Sequence, residues 1–170
     1  MVDAAAPCKF LGETIGFWIQ TGAFFLSALG ALWIIRSREK SERRRATIDL
    51  VLHQKADPKL QEAKRHVLTM HANHVQNFAR YLEDRNTEDC KNILLLLNNY
   101  EFISAGIRES ALDEEIYKRV QYSVLVKDWD ALGGFVMEFR RIEERPTLFQ
   151  EFEYLAKRWK KDKLKVDSSA

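Results

Sequence analysis

The chain has 170 residues, 31% of them charged and 46% hydrophobic, and its 27 Lys and Arg against 25 Asp and Glu leave a formal net charge of +2. That length holds one compact domain with an appendage, and the near balance of charge excludes the strongly basic field of a dedicated nucleic-acid binder. Three prolines, seven glycines and two cysteines exclude both a low-complexity chain and a disulfide framework.

Residues 1–13 form a short tail, and from Thr14 to Ile35 the run "TIGFWIQTGAFFLSALGALWII" carries no charge. At 1.5 Å per residue such a helix matches a hydrocarbon layer of about 30 Å. Trp18 and Trp33 stand near its two ends, where amphipathic rings favour the interfaces of a bilayer. The apolar run stops abruptly at Arg36, Arg38, Lys40, Arg43, Arg44 and Arg45, whereas only Lys9 and the amino terminus precede it. Basic residues resist translocation, so the asymmetry predicts the N-terminus outside and the rest of the chain in the cytoplasm. A cleaved signal peptide would show the opposite asymmetry, and a buried soluble helix would carry a polar stripe that Gln20, Thr21 and Ser27 do not make. Ala23, Ser27 and Ala31 recur every fourth residue and would let a second helix approach closely. Cys8 and Cys90 then lie in different compartments.

The body is expected to be all-α, a bundle of about five to six helices over residues 57–161, with a frayed tail at 162–170. Residues 36–56 continue the spanning helix as a basic juxtamembrane segment, with Ile48, Val51 and Leu52 as first core contacts. Asp57 and Pro58 end it and start the next helix, which carries Leu60, Val67, Met70, Val75, Phe78 and Leu82 inward as far as Tyr81 or Leu82. Thr87 caps the following helix, whose apolar residues on every side make it the buried centre; the polar Asn98, Asn99 and Glu101 keep it from being a second span. A short helix begins near Asp113, and a separate one over Val124–Ile142 places Leu125, Trp129, Leu132, Val136, Phe139 and Ile142 on one face. Gly133 and Gly134 mark a kink or a close approach in it, and Thr147 starts the last helix after Pro146, with Leu148, Phe152, Leu155 and Trp159 inward. Each large apolar side chain contributes about 1.5–3 kcal/mol on burial, so no cofactor is needed for stability.

No phosphate-binding glycine loop, HExxH or paired CxxC occurs. His71 and His74 are spaced for a shared metal ion, but no third ligand is evident and no metal is expected. Cys90 has no base at hand and reads as a buried or half-buried thiol. Glu101 interrupts an apolar helix with Arg108 two turns on, and the expected arrangement is a carboxylate held by Arg108, or by Arg140 or Arg141, fixing helix packing. A tuned acid at Glu101 is the catalytic alternative. At the C-terminus Lys157, Arg158, Lys160 and Lys161 surround Trp159, and they suit either anionic headgroups or a solvated helix end.

At "RRRATIDLVL", "NNYEFISAGIRESALDEEIYKR" and "FEYLAKRW" the sequence resembles a family of bacterial and phage proteins catalogued as domain of unknown function 4760, with Tyr100, Glu101, Gly106, Ile107 and Arg108 as the motif residues. The resemblance implies a small protein anchored in the bacterial inner membrane, in settings such as host takeover, phage exclusion or membrane-linked regulation, and it transfers no catalytic residue. The expected function is thus a tethered helical interaction or regulatory module that touches membrane lipid and either a protein partner or a second copy. The small stripe, the arginines and an apolar face near Phe149 or Trp159 are its expected contacts. A membrane-tethered enzyme using Glu101 and a tethered nucleic-acid binder are the alternatives.

Overall fold

A computed structural model describes residues 9–10, 13–72 and 78–165. Two-residue strands, β1 (Lys9–Phe10) and β2 (Glu13–Thr14), pair antiparallel with Lys9 opposite Thr14. All that follows is helical: α1 (Ile15–Ala56), α2 (Pro58–Ala72), a 3-10 turn (Phe78–Leu82), α3 (Glu88–Arg108), α4 (Glu114–Glu143) and α5 (Gln150–Lys161). The chain divides into two units, Met1–Glu42 and Arg43–Ala170. Cys8, His74 and Val75 lie outside the described residues.

Within the first unit, residues 16–42 are helical and almost wholly exposed, including Phe24 (73%), Leu26 (72%) and Trp33 (73%). Over residues 16–35 Leu, Phe and Ile stand among small residues, and no polar face develops.

The second unit has one core. α3 lies at its centre, packed by α2 and α5, while α4 packs on α5 and on the 3-10 turn. Ile93, Leu96, Leu97, Tyr100, Ile103 and Ile107 of α3 are buried, but Leu95 is 39% and Phe102 71% exposed. The expectation that this helix is buried on every side is corrected: Leu95 and Phe102 stand two turns apart on its exposed side.

Helix starts follow local chemistry at three places. Asp57 Oδ1 accepts from the backbone N–H groups of Lys59 (2.9 Å) and Leu60 (3.2 Å), Thr87 Oγ1 from Cys90 (3.3 Å), and Asp113 Oδ1 from Ile116 (3.1 Å). Other expected boundaries are corrected. α2 spans Pro58–Ala72, and Phe78 and Leu82 reach the core from a 3-10 turn rather than from the end of an α-helix. The two helices expected between Asp113 and Ile142 are one, because a helix capped at Asp113 meets nothing that stops it: a Cβ on Gly133 would make only ordinary contact with Trp129, and none lies within 4 Å of one on Gly134. α5 starts at Gln150 rather than Thr147.

The inward face of α1 is also corrected. Ile48 and Leu52 are 48% and 59% exposed, whereas Thr47, Val51 and Gln54 are buried. Thr47 Oγ1 accepts from the Asp113 N–H (2.8 Å) and donates to the Arg43 carbonyl (2.8 Å), and Gln54 Nε2 donates to Asn99 Oδ1 (2.9 Å). Polar partners waiting on α3 and α4 set the rotation of α1, so the face is chosen by hydrogen bonds that an apolar side chain cannot make.

Candidate functional site

The motif residues Tyr100, Glu101, Gly106 and Arg108 converge on two joints of the bundle. Tyr100 lies in the core, its ring stacked on Phe152 at 4.7 Å and its hydroxyl donating to Asp128 Oδ2 at 2.6 Å. Burial, and then the Asp128 carboxylate, push its pKa well above the usual phenol value, so the ring acts as a fixed donor. Glu101, one residue on, points its carboxylate at the start of α5, accepting from the N–H groups of Phe152 (2.9 Å) and Glu151 (3.3 Å). Burial raises its pKa, and the two backbone hydrogen bonds pull the other way. The direct pairing of Glu101 with Arg108 is therefore corrected: Arg108 Nη1 binds Glu151 at 2.7 and 2.8 Å instead. The carboxylate turns inward to orphan helix donors, and the exposed guanidinium meets an acid on the surface of α5. Arg140 holds the same joint from α4, with Nε on the Leu148 carbonyl (2.7 Å) and Nη1 on Glu153 (2.6 Å), while Arg141 binds Glu138 (2.6 Å) on its own helix.

Gly106 serves the second joint. Its carbonyl accepts from Ala111 (2.9 Å) and Leu112 (3.1 Å) after Ser110 turns with φ 58°, and a Cβ on Gly106 would lie 2.9 Å from Leu112 Cδ1. The absent side chain lets the α3–α4 connection fold back over the helix end.

The remaining expected contacts are dispersed. Trp18, Ala23, Ser27, Ala31, Trp33, Arg36, Arg38, Lys40, Arg43 and Arg45 are exposed along α1. Arg44 binds Asp113 (3.3 Å) beside the start of α4 and so belongs to the packing of the body. In the basic tail Lys157 binds Glu153, Arg158 binds Glu114 and Lys160 binds Asp130, leaving Lys161 exposed. The apolar face expected near Phe149 or Trp159 is corrected, since these are 6% and 0% exposed; Trp159 donates its indole N–H to Glu114 (2.8 Å). Cys90 is buried, and burial raises its thiol pKa. Among the described residues no group of three or more His, Cys, Asp or Glu could hold a metal ion. His66 instead meets Asp89 Oδ1 at 2.6 Å.

A family model described as Domain of unknown function (DUF4760) matches residues 19–159. The chain belongs to this family. The matched span opens inside the apolar part of α1 and closes at the buried Trp159, so the family unit takes in the exposed helix as well as the bundle. No curated protein and no solved structure matches the chain.

One feature is set by packing rather than by local sequence. α2 and α4 leave a cleft of ≈ 440 Å³ between them, lined by Lys64, Arg65 and Leu68 on one wall and Val124, Lys127 and Asp128 on the other. Lys64 and Leu68, like Val124 and Asp128, are spaced i, i+4, a periodicity visible in the sequence; that the two stripes face each other is not.

Proposed function

We propose that the protein is a single-pass, membrane-anchored interaction module: residues 14–35 cross the bacterial inner membrane with the N-terminus outside, and the body holds a protein partner, or a second copy, at the cytoplasmic face. The observation that carries the reading is the exposed stretch of α1, whose apolar part is long enough to cross a membrane and is not buried against the protein. Each of its large side chains recovers about 1.5–3 kcal/mol when taken out of water, and a bilayer supplies that for the whole length at once. Holding a binding surface at a membrane raises its effective concentration for other membrane-bound partners. On the body, Phe102 with Leu95 is the face best suited to a partner, since it is apolar and uncovered. Glu101 spends its carboxylate on the backbone of α5, which favours a binding module over an enzyme built on that acid. The setting implied by the family resemblance, bacteria and their prophages, suggests exclusion of competing phage as the occasion.

The test is affinity purification of the full chain from detergent-solubilised membranes beside a chain lacking residues 1–35 and a Phe102→Ser variant. A specific protein recovered with the full chain and lost from both others is the expected result; a chain extracted from membranes by alkaline carbonate would refute the anchor. Orientation is read separately. With Cys90 buried, a membrane-impermeant maleimide should label Cys8 in intact spheroplasts, and labelling only after permeabilisation would reverse the topology.

A further inference from the structure

The cleft between α2 and α4 has the attributes of a ligand site, and charged groups on both walls give it chemistry. Its volume of ≈ 440 Å³ lies in the range of small-molecule pockets. The apolar parts are Leu68 and Val124, 56% and 46% exposed, one on each wall. Around them stand three cations, Lys64, Arg65 and Lys127, and one carboxylate, Asp128, which already accepts the Tyr100 hydroxyl. Three positive charges against one negative charge leave a surplus that a dianion matches better than a single carboxylate does. Arg65 adds a planar fork that suits phosphate oxygens. Lys64 is half-buried, and burial lowers its pKa against the opposing pull of Asp128. The floor is rigid, because Asp128 is tied through Tyr100 to the centre of the core.

We infer that this cleft binds a phosphate monoester carried on an apolar or aromatic body, with Lys64, Arg65 and Lys127 on the phosphate and Leu68 and Val124 on the body. The site is independent of the membrane reading, since every residue in it belongs to the helical body. The phosphate can belong to a soluble ester or to a lipid headgroup, and the same chemistry recognises both.

The test uses the full chain in phosphatidylcholine nanodiscs with 4-fluorophenyl phosphate as probe, followed by ¹⁹F line broadening. Wild type should broaden the probe saturably, 4-fluorophenol should stay sharp, and Lys59→Gln, on α2 but outside the cleft, should match wild type. Lys64→Met and Lys127→Gln should each weaken binding by about tenfold, and Val124→Trp, which fills the cleft, should abolish it. Lys127 is exposed, so its variant keeps the fold even if Lys64→Met does not, and circular dichroism confirms which variants are folded. Absence of broadening by wild type, or equal broadening by folded wild type, Lys127→Gln and Val124→Trp, would overturn the proposal. If adding phosphatidic acid, whose headgroup is a phosphate monoester, to the nanodiscs displaces the probe, the phosphate source is a headgroup; if it does not, the source is soluble, and both results support the site.

Discussion

α4 and α5 begin in opposite ways. α4 is announced locally: Asp113 caps the Ile116 N–H three residues on, with Glu114 and Glu115 in the first turn where the helix dipole favours acids. α5 has Phe149 at the same position, in a left-handed conformation at φ 54° with no side-chain cap. Its free N–H groups are met by Glu101, fifty residues upstream on α3. A helix can thus be started by its neighbours in sequence or by its neighbours in space, and only the first kind can be read from spacing. Phe149 tolerates its conformation because its ring is buried and lies 6.3 Å from that of Phe139, an anchoring that outweighs a local cost of about 1–2 kcal/mol.

The largest test of this contrast is Glu101→Ala, which removes the carboxylate that accepts from the Glu151 and Phe152 N–H groups and should cost about 2–3 kcal/mol in urea unfolding of the full chain in micelles. Should it cost no more than a surface substitution, the start of α5 is not held from α3. Asp113→Ala should cost less, about 1 kcal/mol, by the same measurement, with Asp113→Asn restoring most of the loss because the acceptor is kept. Glu144 sharpens the contrast from the other end of the turn: it ends α4 with φ 53° and is not buried, so Glu144→Gly should raise stability by about 0.5–1 kcal/mol. Unchanged stability there would mean that the Glu144 side chain compensates its own strain.

The smallest expected effect is a pH dependence with opposite signs at two acids. Glu101 is raised by burial, so its stabilising share is full below the ordinary value near 4.5 and is lost as pH rises through its folded pKa. The stability of Glu101→Gln relative to wild type should therefore improve as pH rises above about 4.5. Burial also pushes Glu153 up, but hydrogen bonds from Lys157 and Arg140 outweigh it and leave the pKa lowered. Its share is present above 4.5 and is lost as pH falls, so Glu153→Gln should converge on wild type in acid. Parallel urea-midpoint curves for wild type and both variants would contradict these placements.

The sequence by itself determined whatever depends on near neighbours: the uncharged run at 14–35, the caps at Asp57, Thr87 and Asp113, and the apolar repeats that make an α-helical body of the chain after Asp57. These rest on 3.6-residue periodicity and on side chains reaching their own backbone, both short-range effects. Tertiary structure alone decided that α1 turns Thr47 and Gln54 inward in place of Ile48 and Leu52, that Glu101 serves α5 while Arg108 takes Glu151, and that Lys64 and Lys127 share one cleft. Each of these is a choice among several polar partners at comparable local cost. The choice is made by which helix arrives opposite, and that information lies in the packing of the whole core.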